Sequence, residues 1–346
     1  MIKLIASVVI LLMSNSMVHA EIKQSGFIQI RKNQRLYVEY KKAAPGKPTL
    51  VLANGLTYST RQWKEYADAI HNLDPGVGLV LYDMEGQGLT LLEKAPITFD
   101  IPMEQQVRDL RDLMLTLNIE GPVSLVGLSY GGGVALYYAS VFPDDFDHYI
   151  VLAPFIERLA SQDKIIHDWM AYHRALRPWD GRSDDELYDW YLRVLVTTTY
   201  PTAEPIILEN PFKLEGVFRM VKGAKHWQAI DKAEDLPRRK IHVVAAENDE
   251  HVKLPRLNQL VDAYQNSALA SYMILEGSRH KIPETEPEFA AAWTLLINSN
   301  NPLLKTGVTF RGNPINGEAR SATHILKVLS KVETCESQLR HHPESR

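Results

Sequence analysis

Six stretches of the chain are apolar at nearly every position: Pro48–Leu56, Gly78–Gly88, Pro122–Ser129, His148–Phe155, Lys240–Asp249 and Ala270–Ser278. Each runs into a turn bearing glycine, serine, proline or an acid. Such runs predict strands buried on both faces, as in a parallel sheet. An earlier stretch differs: Phe27–Lys41 alternates apolar and polar residues on either side of Asn33-Gln34, which predicts a hairpin. Between the runs the apolar spacing becomes helical. Residues 59–73 form one such segment, and Val107, Leu110, Met114 and Leu117 fall on one stripe of another. Helical segments also follow Ser129 and close the series at 287–298. Strands alternating with helices predict a doubly wound α/β sheet, mostly parallel.

The alternation breaks between Phe155 and Arg239. No buried-strand run occurs there, and Trp169, Tyr172, Trp179, Trp190, Tyr191, Phe212, Phe218 and Trp227 are concentrated in it. This predicts an inserted helical cap over the C-terminal edge of the sheet, where open α/β sheets bind ligands. Most of these aromatics are expected to form the cap's own core and a few to line a pocket over the sheet. The expected organisation is therefore a core of 21–155 and 237–298, a cap of 156–236 and a C-terminal extension of 299–346. The extension is turn-rich, with a short amphipathic helix at 322–332 and a disordered polar tail.

The first twenty residues have their own pattern. Lys3 precedes an apolar run from Leu4 to Met13, and Val18 and Ala20 occupy the small-residue positions of a cleavage site. This predicts a secretory signal peptide, residues 1–20. The run is short for a bilayer span, and an uncleaved anchor is the alternative. The chain of 346 residues holds one cysteine, Cys335, so it can form neither an intrachain disulfide nor a cysteine metal cluster. With no N-x-S/T acceptor either, the expectation is a bacterial exported protein, periplasmic or secreted. A formal net charge of −4 without a basic stripe argues against nucleic acid as a partner.

The candidate chemistry lies at Gly127-Leu128-Ser129-Tyr130-Gly131. The pentapeptide ends a predicted buried strand and opens a helix. In that setting a strained turn exposes a serine hydroxyl above the sheet, and glycines are needed where neighbouring backbones crowd it. A serine hydroxyl needs a base to take its proton, and the base needs an orienting carboxylate. The order serine, acid, histidine is met by Asp249 and His280, each just beyond a later strand. Glu247, Glu250 and Glu157 compete for the acid, and His251 and His242 for the base. His242 falls inside an apolar run and is expected to pack there; His251 is too close to Asp249 to reach it from a separate strand end. An oxyanion hole would come from the backbone N–H groups of Leu56 and Tyr130.

Together, NGL at 54–56, YDMEGQG at 82–88, GLSYGG at 127–132, ENDEHV at 247–252 and GSRHKIPE at 277–284 resemble the α/β-hydrolase superfamily over residues 30–298. The cap position and the YDMEGQG turn look most like its lysophospholipase and monoacylglycerol-lipase members. The resemblance implies a serine esterase that forms an acyl-enzyme on Ser129, with His280 as base, Asp249 as its orienter, and no cofactor or metal. It implies a small-molecule or lipid ester as substrate and allows transient contact with a membrane surface. Asp83 is expected to be structural. Asn54 departs from the family's usual histidine and leaves the shape of the oxyanion loop open. Amide, lactone, peptide or carbon–carbon bond cleavage would use the same residues, and a non-catalytic binder of apolar ligands is the reading from another class.

Overall fold

The computed structural model describes residues 24–158, 160–199, 210–299 and 301–314. The signal-like segment 1–20, the predicted helix 322–332 and the polar tail lie outside the described residues. One sheet of nine strands organises them, in the order β1-β2-β4-β3-β5-β6-β7-β8-β9. The strands are β1 (Gln24–Arg31), β2 (Gln34–Lys41), β3 (Thr49–Ala53), β4 (Gly78–Tyr82), β5 (Val123–Leu128), β6 (His148–Leu152), β7 (Ile241–Ala246), β8 (Leu269–Leu275) and β9 (Val308–Gly312). The β1–β2 hairpin runs antiparallel to its neighbours, turning at Asn33 in the left-handed region. From β4 to β9 every pairing is parallel.

All six apolar runs became strands, and β3 to β8 are buried at every residue. Successive side chains point to opposite faces, so each run feeds two cores. Val51, Val80, Leu125, Val151 and Val243 go to one; Leu50, Leu79, Val126, Ile150 and Val244 go to the other. The first core is covered by helices Met103–Leu117, Tyr130–Val141 and Leu254–Tyr264. Helices Lys64–Leu73 and Pro287–Asn298 cover the second, joined by a 2.7 Å hydrogen bond from Tyr66 Oη to Thr294 Oγ1.

The chain passes from β3 outward to β4, then returns to place β5 on the other side of β3. This reversal leaves a crevice at the C-terminal ends of β3 and β5, where α/β sheets place ligands. Both the Asn54–Leu56 loop and Ser129 lie there. The insertion between β6 and β7 is helical, as expected: Ala160–Leu176, Asp184–Thr199 and Lys213–Gly223. It has a small core of its own, which includes Ile166, Leu187, Leu192, Val217 and Phe218.

One boundary needs correction. Residues after Asn298 were expected to form an extension outside the core, yet Val308–Gly312 pairs with β8 as an edge strand. Phe310 is 3% exposed and meets Trp293 with ring centroids 5.4 Å apart. The strand alternates buried and exposed positions over only five residues, too short a pattern to stand out among the surrounding turn residues.

A buried polar trio crosses the sheet at β6, β7 and β8. His148 Nδ1 lies 3.1 Å from His242 Nε2, and His242 Nδ1 lies 2.8 Å from Ser271 Oγ. Burial pushes His148 down to about 4 and His242 well below its ordinary value. Their contribution to stability is therefore complete above the unfolded value of 6.5 and is lost as pH falls below it. Asp83 and Asp109, pushed up to about 6 by burial, work in the opposite sense. The histidine effect is thus read as a difference between variants. His148→Asn keeps a partner for His242 and removes one titration. Its stability relative to wild type should rise by on the order of 2 kcal/mol between pH 7 and pH 5 in urea unfolding. A constant difference over that range would show that His148 does not titrate with folding.

Candidate active site

Ser129 joins β5 to helix Tyr130–Val141 with φ 50° and ψ −113°, a strained conformation for a residue with a side chain. The surrounding backbone holds it there. Its N–H donates to the Leu152 carbonyl at 2.9 Å, and its own carbonyl accepts from Phe155 at 2.7 Å and Gly133 at 3.0 Å. The adjacent glycines are required by contact. A Cβ at Gly131 would fall 2.1 Å from the Ala53 carbonyl oxygen, and one at Gly127 would fall 2.3 Å from that of Gly131. The helix thereby begins against the ends of β3 and β5, with the half-buried Ser129 side chain facing a cavity.

Asp249 and His280, on the loops after β7 and β8, meet as the sequence suggested. Asp249 Oδ2 lies 2.8 Å from His280 Nδ1. Asp249 Oδ1 accepts the N–H groups of His251 and Val252, each at 2.7 Å. Burial opposes the charge on Asp249, but the hydrogen bond and positive field from His280 and the two backbone donors outweigh it and hold the carboxyl below its usual range. A fixed carboxylate on Nδ1 leaves Nε2 of the imidazole to act as the base. Two of the competing acids are engaged elsewhere: Glu157 pairs with Arg256, and Glu247 accepts the Gly277 N–H. The third, Glu250, lines the cavity and reaches the His280 backbone N–H, at 3.5 Å, leaving Nδ1 to Asp249. His242 is buried in the trio described above.

Leu56 belongs to a loop held by two side chains. Gln87 Nε2 donates to the carbonyls of Gly55 and Leu56. The buried Asn54 donates from Nδ2 to the Tyr82 carbonyl at 2.9 Å and accepts the Trp63 indole N–H at 2.8 Å. Asparagine at this position thus ties the loop to the end of β4. Asp83 is structural in its contacts: Oδ1 accepts the Thr60 N–H and Oδ2 the Leu89 N–H. Tyr130 is the first residue of its helix, and the leading N–H groups of a helix have no partner within it.

Ser129 and His280 line a cavity of about 690 Å³ between sheet and cap. Here the expectation about aromatics fails. None of the eight aromatic residues singled out in the insertion lines this cavity; Leu192, Leu195, Val196, Leu214, Val217 and Val221 do. Phe218 and Trp227 are buried, whereas Tyr172 and Trp179 are exposed on the cap. The aliphatic positions recur every three or four residues on helices whose other faces carry the rings. A second, smaller cavity of about 250 Å³ shares Leu56, Thr57, Tyr58, Lys213 and Val217 with the first.

A model of the Alpha/beta hydrolase family matches residues 50–293. The chain belongs to the α/β-hydrolase family. Solved structures agree on the fold. MGS-M2, an α/β-hydrolase enzyme from a Medee basin deep-sea metagenome library, is 18% identical with a TM-score of 0.59, covering 80% of this chain and 98% of its own. A serine hydrolase involved in carbazole degradation is 16% identical, TM-score 0.55, with coverage of 80% and 99%. Proline iminopeptidase from Mycobacterium smegmatis is 17% identical, TM-score 0.54, with coverage of 80% and 98%. At these identities the likeness is one of fold alone.

Two residues of this hydrolase's site, Gln87 and Arg158, escaped sequence reasoning, and a third, His251, was weighed only as a rival base. His251 lines the cavity and stands edge-on to His280, with ring centroids 4.8 Å apart. Burial and the positive field of His280 push its pKa down. Gln87 holds the oxyanion loop, and its place in the YDMEGQG turn was the available signal. Arg158 lines the cavity just beyond β6 and had no local signature. Gly131→Ala tests the packing beneath Ser129: the crowding at Ala53 should cost on the order of 3 kcal/mol or more in urea unfolding. Wild-type stability in that variant would contradict the close approach described here.

Proposed function

We propose that this hydrolase cleaves carboxylic esters with apolar acyl chains, in the manner of lysophospholipases and monoacylglycerol lipases. The observation that carries the reading is the 2.8 Å Asp249–His280 hydrogen bond, beside a cavity lined by both His280 and the strained Ser129. Ser129 Oγ attacks the ester carbonyl while His280 Nε2 takes its proton. Asp249 keeps the imidazole oriented and stabilises its cation. Negative charge on the carbonyl oxygen is met by the N–H groups of Leu56 and Tyr130. His280 then protonates the departing alcohol, leaving an acyl-enzyme on Ser129. Water, deprotonated by His280, attacks that acyl group, and collapse releases the acid and restores Ser129. Protein groups and water suffice for every step.

Ser129→Ala should lower turnover of p-nitrophenyl butyrate by on the order of 10⁶ while leaving thermal unfolding unchanged. A serine-directed phosphonate should add its mass to the peptide containing Ser129. Labelling confined to another peptide, or substantial turnover by the variant, overturns the assignment.

The aliphatic lining supports the acyl preference. A methylene moved from water into such a wall gains about 0.8 kcal/mol, part of which is lost to chain ordering. Across p-nitrophenyl esters from acetate to dodecanoate, kcat/KM should rise more than about tenfold before it levels. A steady fall from acetate onward would make this a small-ester carboxylesterase.

A further inference from the structure

Arg158 follows β6 and leads into the cap. It is 4% exposed, yet it lines the cavity that holds Ser129 and His280. Nη2 is engaged, donating to the Tyr188 hydroxyl and lying 2.7 Å from Asp163 Oδ1. Nε and Nη1 are buried and meet no acceptor among the described residues. A guanidinium remains charged at any pH a folded protein tolerates, and leaving its donors buried and unpaired is costly. Asp163 neutralises it only in part, being one-third exposed and also accepting the Tyr188 hydroxyl.

The rest of the wall is mixed but leans the same way: Lys213, Lys253 and Lys281 line the cavity with Glu250 and the Arg256–Glu157 pair, and Lys281 lies 3.8 Å from Glu284. Glu157 is taken by Arg256, so it does not answer Arg158. Because Nε and Nη1 are shut off from bulk water, the field of Arg158 acts through a low-dielectric wall, where an anion in the cavity feels it strongly.

We propose that Arg158 is an anion subsite of the catalytic cavity. The preferred esters would carry a carboxylate or phosphate group set apart from the scissile bond. This rests on the ester reading for the reaction but not for the binding. Nε and Nη1 are closed off even to water, so Arg158 acts on either group through its field rather than through a direct hydrogen bond. An apolar wall for the chain and one buried cation for its charged end together select an amphiphilic anion over a neutral lipid of equal length.

The test uses the full chain carrying Ser129→Ala, so that ligands bind without turnover, and isothermal titration calorimetry with two matched pairs. Monomethyl suberate against dimethyl suberate places a carboxylate on the acyl side. 1-Octanoylglycerol 3-phosphate against 1-octanoylglycerol places a phosphate on the alcohol side. In at least one pair the anion should bind about tenfold more tightly or better, and the pair identifies the source. Adding Arg158→Met or Arg158→Gln should bring that ratio close to one, and Arg158→Lys should keep part of it. A merely structural arginine would weaken both members of a pair together and leave the ratio intact. The absence of an anion preference in both pairs overturns the subsite, as does a preference that survives both neutral variants. Turnover of the neutral esters by the Ser129 protein is measured separately. Anion selectivity without turnover would overturn the ester reading alone, and turnover without selectivity would overturn the subsite alone.

Discussion

The site depends on a contact between backbones. Helix Tyr130–Val141 begins so close to the ends of β3 and β5 that no side chain fits at Gly127 or Gly131. That approach forces Ser129 into a positive φ and leaves its side chain at the cavity. Hydrogen bonds to the Leu152 carbonyl and from the Phe155 N–H on the neighbouring segment pin the turn from the other side. Strain of this kind, of order 1–3 kcal/mol, persists only where the surroundings over-determine it. Here fully buried strands on one side and a helix locked by contact on the other do so.

Around that turn, sheet and cap divide the work. The core supplies every group the proposed reaction uses: the loops after β3, β5, β7 and β8 bring Leu56, Ser129, Asp249 and His280 to one edge, and the helix after β5 starts at Tyr130. Their anchors, Asn54, Gln87 and the N–H groups of His251 and Val252, belong to the core as well. The cap contributes the aliphatic wall and, where it leaves β6, the buried charge of Arg158. The chemistry is therefore set by rigid elements and the choice of substrate by an inserted one, so residues 156–236 could change identity without disturbing the proton path.

Much of this was legible in the chain itself. Strands buried on both faces announce themselves as unbroken apolar runs, and β3 to β8 all did. The spacing of Ser129, Asp249 and His280 beyond three of those strands placed them at one edge, because every strand of a parallel sheet ends on the same side. The failures have physical causes. β9 buries one face over five residues, which leaves too little alternation to read. The cap's rings were conspicuous by type, but the face a helix turns to a cavity is decided by neighbours far along the chain, and that face proved aliphatic. Arg158 matters through what lies across the cavity from it, which no local pattern encodes.

The late strand has a consequence for how the protein is made. During synthesis β8 emerges more than thirty residues before Val308–Gly312 can cover its outer edge. Until then a row of unpaired N–H and C=O groups stands open on a strand whose side chains are apolar on both faces, a template for pairing with another chain. Residues 301–307, with the short helix Pro302–Lys305 and the buried Leu304, lead β9 back to that edge within one chain. The stretch that looked least like structure thus serves as the stopper of the sheet, and its arrival ends the interval in which the nascent protein is most open to aggregation.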